Sequence, residues 1–210
     1  QKKSISLLKE TNADHLMGLD SWKSRSLFAA LNKITAGRRF GVRHYLLPAA
    51  SVNRWQVTSS ADKRMVLQGV RAMAEEVEGN RRIIDHALAA LDEMILNAMR
   101  ISTDDRGSRP VMVEAGYDTE MLAIGVLDEF GDLNRQAVFS SLSTAVQRQK
   151  SGLPEEANSA SLGFRIMLDS LNHVIVNVEP GKCTEIVGLV SLHNSLREFR
   201  EAKIGLSLFD

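Results

Sequence analysis

The sequence predicts an α+β protein, a two-layer sandwich of helices on a sheet, with a helical extension at its N-terminus. Three observations carry this reading. Two helical patterns stand back to back between about residues 61 and 99. Runs of alternating or β-branched residues come in groups, at 111–127 and again at 173–192, instead of one by one between helices. The residues before Pro48 are mostly helical in pattern. Strands grouped in this way belong to a segregated α+β sandwich, not to a doubly wound sheet.

Composition fits a folded globular chain and narrows the partners. Of 210 residues, 44% are hydrophobic and 25% charged, with formal net charge zero. No basic block or stripe stands out, so a nucleic-acid partner is not expected. No apolar run approaches the roughly 20 residues of a membrane-spanning helix, and no stretch has the pattern of a signal peptide. The single Cys183 cannot form an internal disulfide and fits a reducing compartment, so a cytoplasmic location is expected. The chain begins at Gln1, which fits a processed or excised piece with a further domain upstream.

Taken in order, Ser24 to Ile34 carries Leu27, Phe28, Leu31 and Ile34 at helical spacing, with Gly37 as a stop. The basic group Lys33, Arg38, Arg39, Arg43 and His44 reads either as a phosphate site or as a solvated helix end. Pro48-Ala-Ala-Ser marks a joint. Trp55 to Ser59 alternates as a short strand. A helix from about Ala61 to Glu78 carries Met65, Val66, Val70, Met73 and Val77. Gly79-Asn80 separates it from a second helix, about Arg81 to Met99. The apolar stripe of that helix is Ile84, Ala87, Leu88, Leu91, Ile95 and Ala98, as expected of a helix packed on a sheet. Val111–Ala115 and Met121–Leu127 read as strands joined through Tyr117-Asp118. Asn134–Gln149 is helical in pattern, Ser151–Ser159 loop-like, and Leu162–Leu171 helical again. The connection of about thirty residues after Asp128 has the length of a lid or binding loop. His173–Val178 and Thr184–Leu192 are strands joined by Glu179-Pro-Gly-Lys, a hairpin turn. A short helix, Ser195–Lys203, and an apolar tail, Ile204–Phe209, close the chain.

The most informative stretch is Leu91-Asp-Glu-Met-Ile-Leu-Asn-Ala-Met-Arg100. Glu93 and Asn97 are four residues apart and so share a helix face, opposite the apolar stripe and together with His86 and Arg100. That face meets either water or a ligand. A carboxylate base beside a carboxamide oxygen is the chemistry of a metal–phosphate site, and equally that of an ordinary solvated surface.

Glu93 and Asn97 are followed by Asp128 at a strand end, by Leu162-Gly163, and by the run Asn172-His-Val-Ile-Val-Asn-Val-Glu-Pro-Gly-Lys-Cys-Thr-Glu-Ile-Val-Gly-Leu189. In this order the chain resembles the Bergerat-fold (GHKL) ATPase domain of bacterial anti-sigma serine kinases and histidine kinases over about Arg54 to Leu192. The hairpin run is most similar to ATPase-like output domains that stand behind a receiver domain. The resemblance implies a two-layer α/β sandwich with a mixed sheet. It divides the chain into a helical connecting segment (1–50), the ATPase-like domain (51–195) and a C-terminal helix and tail (196–210). It implies ATP and Mg²⁺ as ligands. Asn97 would offer its oxygen to Mg²⁺, and Glu93 would orient or deprotonate the attacking hydroxyl or water. Arg100 would meet a phosphate, Asp128 would accept from the adenine amino group with Thr184 in support, Gly131 would belong to the first glycine loop, and the amides of Leu162 and Gly163 would receive phosphate oxygens.

Departures are equally plain. Phe130 and Asp132 stand where the first loop usually has glycines, and Ser159-Ala-Ser-Leu-Gly163 keeps one glycine of the second. Glycine serves in such loops because backbone must come close to phosphate. Two functional expectations follow. One is an ATP–Mg²⁺-binding regulatory domain of serine-kinase type acting on a signalling protein partner, with an upstream receiver and a homodimer as candidates. The other is a pseudo-ATPase kept for protein interaction or dimerisation.

Overall fold

A computed structural model describes residues 15–16, 40–101, 109–133, 136–138, 159–202 and 204–209, with positions 31, 35 and 140. Strand β1 is His15–Leu16, and a 3-10 helix, Val42–Tyr45, leads into β2, Ser51–Val57. Helices α1, Ser60–Glu76, and α2, Arg81–Ile101, precede β3, Val111–Tyr117, and β4, Met121–Asp128. Helix α3, Ser159–Ser170, leads into the hairpin of β5, His173–Glu179, and β6, Cys183–Ser191. Helix α4, Leu196–Glu201, and β7, Gly205–Phe209, follow. Apart from Leu31, which is helical and 50% exposed, the expected helix at 24–34 lies outside the described residues, as do the loop at 151–158 and most of the expected helix at 134–149.

The strands form one mixed sheet of seven, in the order β1-β7-β5-β6-β4-β3-β2. All neighbours are antiparallel except β5 and β7, which run parallel. The main core lies between one face of this sheet and the helices. There Val111, Val113, Leu122, Ile124, Val174, Val176 and Val190 meet the whole predicted stripe of α2. In α1 the stripe is Val66, Val70, Met73 and Ala74, whereas Met65 is 60% exposed. Adjacent residues on a helix diverge by about 100°, so Met65 and Val66 cannot both face the sheet. Ser59 caps α1 through a capping box with Asp62, whose carboxyl the Thr58 amide and hydroxyl hold down at about 2.

Two elements differ from expectation. Strand β2 begins four residues before Trp55, because Ser51–Val57 pairs along the whole of β3. The apolar tail is a strand, with Leu206 and Leu208 buried against the helices and Ser207 turned to the other face beside the His173 ring. The 196–210 segment thereby contributes β7 to the same sheet, and residues 15–16 pair with it.

The opposite face of the sheet carries a second, smaller core of Val42, Tyr45, Leu46, Ala50, Ala123, Ile175, Val187 and Leu189. Two carboxylates on the sheet hold this segment in place. Glu185 Oε1 accepts from the Gly41 amide (2.8 Å) and Glu114 Oε2 from the Val42 amide (3.1 Å). Between them Gly125 leaves the hole that Val42 fills, since a Cβ there would stand 2.6 Å from Val42 Cγ1. Arg43, read from sequence as part of a basic cluster, donates to the Pro48 and Ala50 carbonyls at 3.0 and 2.6 Å and so closes the joint before β2.

Candidate functional site

Asp128 and Thr184 end β4 and begin β6, where the register sets them opposite each other. Both lie on the helix side of the sheet, in step with buried Val126 and Ile186. Asp128 is 6% exposed. Its Oδ1 accepts from the Phe130 amide (3.0 Å) and the Gly131 amide (3.3 Å), so the carboxylate is held by its own loop. Burial pushes the Asp128 carboxyl above its ordinary value, the two loop amides oppose that shift, Asp132 adds to it, and the Thr184 amide also opposes it. The Thr184 hydroxyl is more unusual. The residue is 1% exposed, and Oγ1 is buried without a hydrogen-bond partner among the described residues. Buried hydroxyls nearly always find a partner, which makes this one a candidate donor to a bound group, as the buried Asn177 Oδ1 is a candidate acceptor.

Gly131 sits at φ +65 against the β5–β6 turn, where a Cβ would run into Glu179 O, Lys182 N (2.6 Å) and Cys183 N (2.8 Å). Its carbonyl accepts from the Gly181 amide (3.2 Å). The glycine therefore seats the Asp128 loop on the hairpin. Cys183 beside it is half-buried, and burial together with the charges of Glu179, Asp128 and Glu185 raises its thiol, so it is a poor nucleophile.

Glu93 and Asn97 lie half-buried on the face of α2 that meets α3. A Cβ on Gly163 would stand 2.7 Å from Asn97 Nδ2 and 3.2 Å from Glu93 Oε2, so the glycine admits both side chains to the helix–helix contact. Among the described residues neither Glu93 nor Asn97 has a hydrogen-bond or ion-pair partner. Helix α3 starts at Ser159, so Gly163 lies inside it and its amide faces the helix's own carbonyls. The unpaired donors are those of the first turn, which includes Leu162. What Gly163 supplies is space. Arg100 is exposed in the last turn of α2, one turn beyond Asn97.

Connectivity brings the two clusters to one end of the sheet. Only Leu171 and Asn172 separate α3 from β5, so the chain reverses there. The start of α3, with Gly163, thus lies toward the far end of β5, where Val178 pairs with Thr184 and Thr184 with Asp128. Sequence reasoning had named Asp128 and Thr184 but had no means of seeing that the hydroxyl is orphaned. His173 is buried, its Nε2 3.0 Å from Ser207 Oγ, and burial followed by the nearby His15 lowers it to about 4. His86, on the polar face of α2, has its ring tilted against Phe199 of α4, the centroids 5.6 Å apart.

Among the described residues, no group of three or more His, Cys, Asp or Glu is placed to hold a metal, and no helix is long and apolar enough to cross a membrane. Magnesium does not need such a cage, because it is commonly held by one or two protein oxygens and the phosphates it accompanies. The free carboxamide of Asn97 beside the free carboxylate of Glu93 fits that donor chemistry. No protein-family model and no curated protein matches the sequence.

Proposed function

We propose that this chain is an adenine-nucleotide- and Mg²⁺-binding regulatory domain of the Bergerat (GHKL) type, acting on a protein partner as the anti-sigma serine kinases do in bacterial partner-switching or two-component signalling. The observation that carries the proposal is the pairing of a buried acceptor, Asp128, with a buried and unpartnered hydroxyl, Thr184, across adjacent strands. An adenine edge offers an amino donor and a ring-nitrogen acceptor side by side, which is the complement of that pair. Asp128 takes the amino group and Thr184 donates to the ring or to a bridging water. Asn97 offers an oxygen to the cation. Glu93, four residues before it, holds or accepts the proton of the attacking hydroxyl. Arg100 meets phosphate charge. Bound Mg²⁺ would neutralise charge on the phosphates.

A second reading, a pseudo-ATPase that retains the fold for protein interaction, has its own support. Ser159–Leu162 is already the first turn of a helix, and Gly163 brings that helix against Asn97, which narrows the space a triphosphate needs.

Titration with ATP and Mg²⁺, followed by thermal unfolding, separates the two. A binder is stabilised by about 2.7 kcal/mol at a hundred times its dissociation constant. GTP should give a much smaller shift, because guanine presents an acceptor where Asp128 needs a donor. Asn97→Ala should remove the Mg²⁺ dependence. The absence of any shift at millimolar ATP refutes nucleotide binding, and equal shifts with ATP and GTP remove Asp128 from base recognition.

A further inference from the structure

The polar face of α2 continues toward its N-terminus beyond Glu93. There a cavity of about 420 Å³ is lined by Arg82, Asp85 and His86 of α2 and by Leu196 and Arg200 of α4. Among the described residues, the guanidiniums without an ion pair or hydrogen bond are those of Arg64, Arg81, Arg82 and Arg200. Two of the four thus converge on one cleft.

Asp85 shares the cleft with them, and it and the two glutamates of α4 already have partners. Asp85 Oδ1 accepts from Arg71 at 2.8 Å. Glu198 turns back to cap α4, accepting from the Ser195 amide at 2.8 Å. Glu201 accepts from Arg197 at 2.9 Å. In the same cleft the His86 ring is held against Phe199 and offers an N–H donor, and half-buried Leu196 supplies an apolar wall.

We infer that this cleft is a docking site for an acidic segment of a protein partner, in which Asp or Glu carboxylates meet Arg82 and Arg200 and an apolar side chain rests on Leu196. Guanidinium forks match carboxylates two bonds at a time. Both arginines are exposed, and a single exposed ion pair is weak. Occupancy therefore calls for several carboxylates delivered on one chain, which favours a protein segment over a free ion. His86 precedes Glu93 by two turns of α2, about 10 Å, which an extended chain covers in about three residues. A segment bound here would present the residues after it to Glu93. That last step rests on the proposed kinase-type function; the docking itself does not.

The test is a fluorescence-anisotropy titration of the full 210-residue chain, without nucleotide, using a labelled peptide of several glutamates around one leucine. The controls are the same peptide with glutamine for glutamate, a labelled DNA duplex, and vesicles containing anionic phospholipid. The acidic peptide should bind, with affinity falling as salt rises. Arg82→Gln/Arg200→Gln should weaken it about tenfold or more. Arg64→Gln, which removes an equally unpaired guanidinium outside the cleft, should leave it unchanged. All three substitutions are at exposed positions, and thermal unfolding checks that each variant is folded. Equal binding of the glutamine peptide, equal loss on Arg64→Gln, no loss on the double substitution, no binding at all, or tighter binding of DNA or vesicles would each overturn the inference. Because nucleotide is left out, failure of the ATP titration leaves this result standing, and the reverse holds as well.

Discussion

Thr184→Val exchanges a hydroxyl for a methyl at nearly constant volume, on a strand whose neighbours Ile186 and Val187 already favour β-branched residues. Its backbone pairing with Asp128 and Val178 is untouched. The hydroxyl is desolvated in the folded chain without a compensating bond, and an unsatisfied buried polar group costs about 1–3 kcal/mol. Valine removes that penalty, so the free protein should gain about 1 kcal/mol or more, a rise in Tm of roughly 2–4 °C per kcal/mol for a chain of this size. In the proposed adenine pocket the same change would delete a hydrogen bond to the base, and ATP affinity should fall about three- to tenfold, the equivalent of roughly 0.5–1.5 kcal/mol. Denaturant or thermal unfolding measures the first effect and calorimetric titration the second. A variant less stable than the parent by 1 kcal/mol, in order-of-magnitude terms, would show that the hydroxyl is satisfied within the fold. A gain in stability with unchanged ATP affinity would remove Thr184 from the pocket.

Two further outcomes follow from the same geometry. Gly163→Ala places a methyl 2.7 Å from Asn97 Nδ2, the mobile end of a side chain. Helix propensity favours alanine by about 1 kcal/mol, so stability should hold or rise while Mg²⁺-dependent nucleotide affinity falls about 10–100-fold; parallel loss of stability and binding would mean that the two helices, not Asn97, were disturbed. His173, lowered from 6.5 to about 4 by burial and by His15, takes up a proton on unfolding. Its contribution is complete above pH 6.5 and is lost as pH falls toward 4, to a total of about 3 kcal/mol. Urea unfolding of the parent and of His173→Gln at pH 7 and near 4.5 should show the parent losing more stability, and parallel losses would place the titration elsewhere.

The elements that sequence reasoning found are those whose information is local. The α2 stripe repeats at helical spacing and is buried as read. Glu179-Pro-Gly-Lys names a hairpin turn by its own chemistry, with Gly181 at φ +72. The elements that escaped depend on residues far apart. Gly-Leu-Ser-Leu-Phe alternates, but five residues decide little until β5 offers an edge to pair with. The docking of Gly41 and Val42 needs Glu114, Gly125 and Glu185 from three different strands, and no spacing in the chain joins them.

The candidate site divides along the same line. Sequence alone set Glu93 and Asn97 on one helix face, because four residues make about one turn, and it placed Asp128 and Thr184 at strand ends, because the apolar runs stop and start there. Tertiary structure alone decided that Asp128 and Thr184 face each other, that the Thr184 hydroxyl has no partner among the described residues, and that Gly163 lets α3 close onto Glu93 and Asn97. It also gathered Arg82 and Arg200, more than a hundred residues apart, around one cleft whose lining carboxylate, Asp85, is paired with Arg71. Periodicity records which way a side chain points from its own element. What it meets there is settled by strand register and helix packing, which are properties of the whole chain.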